Sequence, residues 1–201
     1  MLKQNFELRT MARLSLSGQW LSASWVTLVY VLIAGGLSLI PHVGSLLSFL
    51  IVPPLVYGYN VVLLELHREN KLVEVTRLFD GFSDFGRIGG TMILMQLYTV
   101  LWMLLLMIPG IVKSYSYALT PYILKDRPEL KFNAAIEESM RMMNGYKMKL
   151  FLLDLSFIGW ILLTMLTFGI GLLFLNPYMS VSRIAFYEDL KAEQERNQVE
   201  G

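Results

Sequence analysis

Three runs of uncharged residues, 20–40, 44–64 and 89–108, constrain this chain's fold more than any other feature. Each is 20 or 21 residues long. A helix of that length rises about 30 Å, the thickness of a bilayer's hydrocarbon core. A fourth run, 150–168, holds one charge, Asp154. In hydrocarbon the backbone must close its hydrogen bonds within the segment, so such runs are helices. Hydrophobic residues make up 55% of the 201 and charged residues 16%, against about 25% charged in soluble domains. The expected fold class is all-α, a polytopic membrane helix bundle forming a single membrane domain over 1–201.

The number of crossings turns on residues 109–124, PGIVKSYSYALTPYIL, which follow the third run. With a lysine, two serines, three tyrosines, a threonine and two prolines, the stretch reads either as an exit loop or as a polar span packed against other spans. A spacing argument favours the span. Gly18, Gly81 and Gly145 stand 63 and 64 residues apart, each after a polar helical segment and each followed closely by an aromatic. PLVYGYNVVLLE (54–65) matches PYMSVSRIAFYE (177–188), with proline eleven residues before glutamate in both. A constant period is the mark of a repeated unit. Here it gives approximate repeats 1–66, 67–124 and 125–190, each a short amphipathic helix, a glycine and a two-span hairpin. Residues 109–124 then become the fourth of six spans.

Charge placement agrees with six spans. Fifteen of the seventeen lysines and arginines fall on one side in that arrangement, and the three short turns opposite hold none. The positive-inside rule puts that side, with both termini, in the cytoplasm, as expected of a multi-pass plasma-membrane protein. A net charge of +1 offers no field for nucleic acid, and no nucleic-acid partner is expected. The chain has no cysteine, which excludes disulfides and thiolate chemistry without indicating a compartment. No cleavable signal is evident, because the first apolar run is too long for one.

The polar segments between spans carry local expectations. Residues 1–18 read as a helix at the membrane surface, with Lys3, Arg9 and Arg13 for lipid head groups, or as a frayed terminus. Pro53 and Pro54 predict a kink in the second span. Within 67–87, Leu72, Val75, Phe79 and Phe82 recur at helical spacing, predicting an amphipathic surface helix that ends near Gly81. In 125–149, Asn133 is the candidate N-cap of a helix with an apolar stripe of Phe132, Ile136, Met140 and Met143, a Glu137–Arg141 pair and a stop at Gly145. Residues 172–187 form a weaker span, and 188–201 read as a charged, solvated tail. The pairs at 35–36 and 89–90 read as glycines allowing close helix contacts.

Ionisable residues inside spans are the candidates for function. Asp154 and Arg183 lie 16 and 13 residues from the centre of the 169–171 turn, so a structural ion pair within one hairpin is the preferred reading. Lys113 has no acid near it in sequence. With Ser116, Tyr117 and Thr120 it follows the spacing i, i+3, i+4, i+7, one polar helix face, which either hydrogen-bonds to other spans or lines a cavity for an anionic group. Glu65 and Glu188, at span ends, are expected to face water. His42 and His67 have no metal-ligand spacing, and no phosphate loop, nucleophile elbow or intramembrane carboxylate pair is present. No cofactor is expected.

The blocks PGIVKSYSYALTPYIL, AAIEESMRMMNG and LDLSFIGWILLTMLTFGIGLLFLNPY, in that order, resemble the bacterial membrane family known as domain of unknown function 975. The resemblance covers most of the chain and implies a polytopic inner-membrane protein without an established activity. More distantly, the pattern is similar to the membrane region of glycerophosphodiester phosphodiesterases. Only fourteen residues follow Tyr187, so no soluble catalytic domain is expected and no catalytic residue carries over. The functional reading is a non-catalytic module binding lipid, a membrane-protein partner or a second copy. A transporter or channel for a small, possibly anionic, solute is the alternative, motivated by Lys113. An intramembrane enzyme would rest on Asp154 alone.

Overall fold

A computed structural model gives the fold and describes residues 2–70 and 73–199. Lys71 and Leu72, both part of the readings above, lie outside the described residues. Most of the described residues are helical, and none is in a strand. Four helical segments are long and apolar enough to cross a membrane: Trp20–Ser38, Gly44–Glu69, Phe85–Leu105 and Lys147–Met165.

Helix α1 (Asn5–Ser15) is neither frayed nor free on a surface. Leu8, Ala12 and Leu16 are 0% exposed, because their i, i+4, i+8 stripe lies against α11 (Leu172–Val199). The Lys3 backbone N–H donates to Asp189 at 2.6 Å, and its ammonium pairs with the same carboxylate at 3.3 Å. Arg9 donates to the Ser156 carbonyl and stands 5.1 Å from the Phe157 ring centroid. Lys3 and Arg9 are therefore used inside the protein. Arg13 alone of the three cations has no partner among the described residues.

Helices α2 (Trp20–Ser38) and α3 (Gly44–Glu69) form an antiparallel hairpin. Half of the apolar stretch of α3 is buried, more than in the other three long segments, so α3 is the axis of the bundle. It runs unbroken through Pro53 and Pro54. Beside it the chain makes a 3₁₀ turn (Val75–Phe79), α4 (Asp80–Ser83) and a π turn (Phe85–Gly89). This corrects the expected surface helix. Leu78 is the fully buried residue of the segment, while Phe79 is exposed. The reason is backbone contact. A Cβ on Gly58 would lie 2.1 Å from the Leu78 carbonyl oxygen, and one on Gly81 would lie 2.1 Å from that of Pro54. Gly81 ends no helix; it lets α4 touch α3.

Helix α5 (Gly90–Leu105) turns at a single extended residue, Leu106, into α6 (Met107–Tyr117). The turn is apolar and exposed from Leu104 to Ile108. A short break leads to α7 (Thr120–Asp126), which packs on α3 and on α8 (Asn133–Met142). Asn133 does not cap α8. Phe132, at φ 49°, occupies that position, and the Asn133 side chain accepts from Tyr98 at 3.0 Å. The buried face is Ala135, Ile136, Ser139, Met142 and Met143, with Phe132 exposed over Gly90. Arg141 pairs with Glu138, not Glu137. Gly35 and Gly36 meet no atom within 4 Å of an added Cβ, so they make no close helix contact; Gly90 does, against the Phe132 ring at the start of α8, while Gly89 meets the Phe85 ring of its own turn.

Helices α9 (Lys147–Leu155) and α10 (Ile158–Met165) pack against α11. Helix α11 continues through Pro177 and on to Val199. Residues 188–194 thus belong to a docked helix instead of a solvated tail, while Glu195–Asn197 are exposed as expected. Leu190 is fully buried, and the Gln194 amide donates to the Met142 carbonyl at 3.3 Å. Gly18 and Gly145 have φ of 81° and 82°. Each stands three residues after one helix and two before the next. Gly81 has no positive φ.

Candidate functional site

Charged side chains gather where α3 and α7 end beside the middle of α11, and there they pair. Glu65, read above as facing water, is 6% exposed and holds Arg77 and Lys125, the latter at 2.8 Å. Glu188 pairs with Arg68. Asp126 is the hub of this layer, accepting from both Arg68 nitrogens at 2.6 and 2.8 Å, from Lys191 at 2.7 Å and from Tyr187 at 2.9 Å. Burial alone would raise the Asp126 carboxyl. The hydrogen bonds from Arg68 and Lys191, the Arg68 charge and the Tyr187 hydroxyl outweigh it and hold the group well below the usual carboxylate range.

Beneath this layer lies a second polar group. Arg183 on α11 meets Asp154 on α9 in a two-pronged pair, Nε to Oδ1 at 2.8 Å and Nη2 to Oδ2 at 2.7 Å. Tyr115 on α6 donates to the same Oδ2 at 3.0 Å. Nearby, the Tyr122 hydroxyl donates to Asn60 Oδ1 at 3.0 Å, and the Asn60 amide donates back to the Val56 carbonyl at 2.7 Å. These side chains border two cavities. The larger, about 530 Å³, is lined by Asn60, Gln96, Tyr115, Tyr117, Tyr122 and Arg183 among others. The smaller, about 320 Å³, is bordered by Tyr30, Tyr59, Asn60, Asn176 and Arg183 among others.

The four residues placed on one polar face have different surroundings. Ser116 is buried, its hydroxyl donating to the Val112 carbonyl of its own helix at 3.0 Å, while its carbonyl accepts from Ser139 on α8 at 2.8 Å. Thr120 donates to the Tyr117 carbonyl at 2.8 Å. Tyr117 lines the larger cavity. Lys113 does not; its ammonium stands 5.2 Å from the Trp102 ring centroid, across the α5–α6 hairpin. That cation–π contact supplies about 0.5–2 kcal/mol. Among the described residues no carboxylate pairs with Lys113.

Asn60 and Gln96 were missed by attending only to ionisable groups. Each is the lone amide in its apolar run, and a polar group in hydrocarbon needs a reason to be there. Tyr115 and Tyr122 gave no such signal, since tyrosines at span ends are commonly interfacial anchors.

A third recess, about 550 Å³, is apolar and lies between α2, α10 and α11. Trp20, Trp160, Leu163, Phe174 and Leu175 form its walls, and Arg13 is its one charged residue. Among the described residues no three His, Cys, Asp or Glu side chains come together as a metal site.

The four apolar helical segments of bilayer length, in a fold with no strand among the described residues, are compatible with a membrane protein. Within that class the chain belongs to the family of proteins of unknown function designated DUF975, whose model matches residues 1–113 and 93–194. Comparison with curated proteins and with solved structures gives no match in either, and nothing links the chain to the membrane region of glycerophosphodiester phosphodiesterases.

Proposed function

We propose that this chain is a six-span inner-membrane module that binds phospholipid without catalysing a reaction on it. The observation that carries this reading is the apolar recess between α2, α10 and α11 with Arg13 at its edge. An acyl chain suits its aliphatic and aromatic walls, and a headgroup phosphate suits a guanidinium free of protein partners. Wild-type protein and Arg13→Ala are purified in native lipid particles, and the copurifying molecules are identified by mass spectrometry. Retained anionic phospholipid that falls several-fold in the variant is expected. An unchanged lipid profile overturns the reading, and a stoichiometric protein instead of lipid replaces it with partner binding.

In this reading the fourth span is α6 with α7 as far as Leu124, and the sixth is the first half of α11. The likeness of the first and third repeats is supported by the matching helix–glycine–helix spacing at Gly18 and Gly145, which the second lacks at Gly81. The cytoplasmic placement of both termini is supported by the lysine and arginine bias. Single cysteines replacing His42, Glu129 and Ile170 test the topology by labelling intact cells from outside. Reaction at His42 and Ile170 but not Glu129 is expected, and reaction at Glu129 overturns six spans. Transport is the second reading, favoured by the cavities that border Arg183 and Asn60. It requires solute flux in liposomes that is lost in Asn60→Leu.

A further inference from the structure

The polar groups around Arg183 are unequally satisfied. Both Asp154 oxygens are occupied by Arg183, with Tyr115 on one of them, and the Asn60 carbonyl oxygen is occupied by Tyr122. Thr99 and Ser114, also in the larger cavity, donate to the carbonyls of Met95 and Ile111 at 2.9 and 2.7 Å. Two strong donor groups remain without partners among the described residues: Nη1 of Arg183 and the Gln96 amide. Arg183 lies deep in the bundle, yet 43% of its side chain is accessible, and it borders both cavities.

A guanidinium presents five N–H groups in a planar fork. The edge made by Nε and Nη2 takes Asp154 here, and the edge bearing Nη1 is left over. Such an edge matches the spacing of two oxygens on one phosphorus. Depth fits as well. Arg183 is five residues below Glu188, which belongs to the charged layer beside the ends of α3 and α7. At ~1.5 Å per residue that is roughly 7 Å, within reach of a headgroup entering from the side.

We propose that the larger cavity is a binding site for a phosphate oxyanion, held by the free edge of Arg183 with the Gln96 amide as a second donor. The phosphate comes either from a phospholipid headgroup or from a free phosphate ion. Asp154 and Tyr115 hold the guanidinium in place and do not touch the ligand. The Arg13 recess is a separate site, and this proposal does not rest on it.

The test uses full-length protein in a phosphate-free maltoside detergent, with thermal unfolding followed against three probes: inorganic phosphate, dihexanoyl phosphatidic acid, and dihexanoylglycerol as the chain-matched control. A shift in unfolding temperature with a phosphate-bearing probe and none with dihexanoylglycerol is expected. Response to phosphatidic acid alone identifies a lipid site, and response to inorganic phosphate identifies a free-ion site; either supports the proposal. Gln96→Leu leaves the Asp154–Arg183 pair intact and should weaken binding about fivefold, the loss of one hydrogen bond. Arg183→Lys keeps the charge opposite Asp154, removes the fork and should abolish binding. If that variant does not fold, Gln96→Leu decides. Arg13→Ala should leave the response intact. A response equal for all three probes, absent altogether, unaffected by Gln96→Leu, or removed by Arg13→Ala alone overturns the proposal.

Discussion

Asp154 and Arg183 show how a single residue acts through its partner. Neutralising one leaves the other charged and unpaired in the bundle, and because 43% of the Arg183 side chain is accessible the cost falls below the ~3–5 kcal/mol of breaking a fully buried pair. Asp154→Asn and Arg183→Gln should each lower the unfolding temperature in lipid nanodiscs by many degrees. The double variant should lose clearly less than the sum; strict additivity would show that the pair is not coupled. Asp126 makes a different prediction, because its site favours the charged form. Its pKa in the folded protein lies below the unfolded value of about 3.9. Its contribution to stability is therefore fully present above that value and is lost as pH falls through the lower, folded pKa. Unfolding temperature should be flat from pH 7 to about 5 on this account and fall below about 4. In Asp126→Asn the acid-induced fall should be smaller, starting from a lower plateau. An identical acid profile in the variant would assign the sensitivity to other carboxylates.

At the scale of the helix, sequence patterning was informative where apolar surface faces lipid and misleading where backbone meets backbone. The uncharged run 20–40 contains the helix Trp20–Ser38, and the run 44–64 starts with the helix Gly44–Glu69, which continues five residues past it; hydrocarbon would enforce the backbone pairing that defines such helices. The segment 75–89 was read from side-chain periodicity alone. Its conformation is set instead by the approach of Leu78 and Gly81 to Gly58 and Pro54, and no periodicity records the absence of a Cβ. Charge partners were equally hidden. Glu65, Arg77 and Lys125 meet from three separate segments, so their pairing depends on tertiary packing. The contrast among glycines is testable by substitution. Gly58→Ala and Gly81→Ala should each cost at least ~1–3 kcal/mol, as overpacking does. Gly35→Ala, with open space around it, should be neutral or stabilising by up to ~1 kcal/mol. Equal effects at Gly81 and Gly35 would refute the backbone-contact account.

Across the whole molecule, the two ends of the chain are fastened to each other. Lys3 bonds to Asp189, and the α1 stripe of Leu8, Ala12 and Leu16 rests on α11. Removing residues 188–201 should therefore detach α1, which is read out as faster amide exchange over residues 5–16. Leu190→Ala, a milder change, should cost about 2–5 kcal/mol. Undisturbed exchange in α1 after truncation would show that α1 needs no such support. The sequence carried no sign of this fastening, since the stripe of α1 and the late half of α11 are both polar enough to pass for solvated ends. The single-residue turn at Leu106 has a further consequence, one for assembly. Every residue from Leu104 to Ile108 is apolar, so in a six-span bundle Lys113 is the one charge that this hairpin has to carry into hydrocarbon. Its two arms can enter the bilayer together, as one wedge, with their charged ends never leaving the side on which they were made.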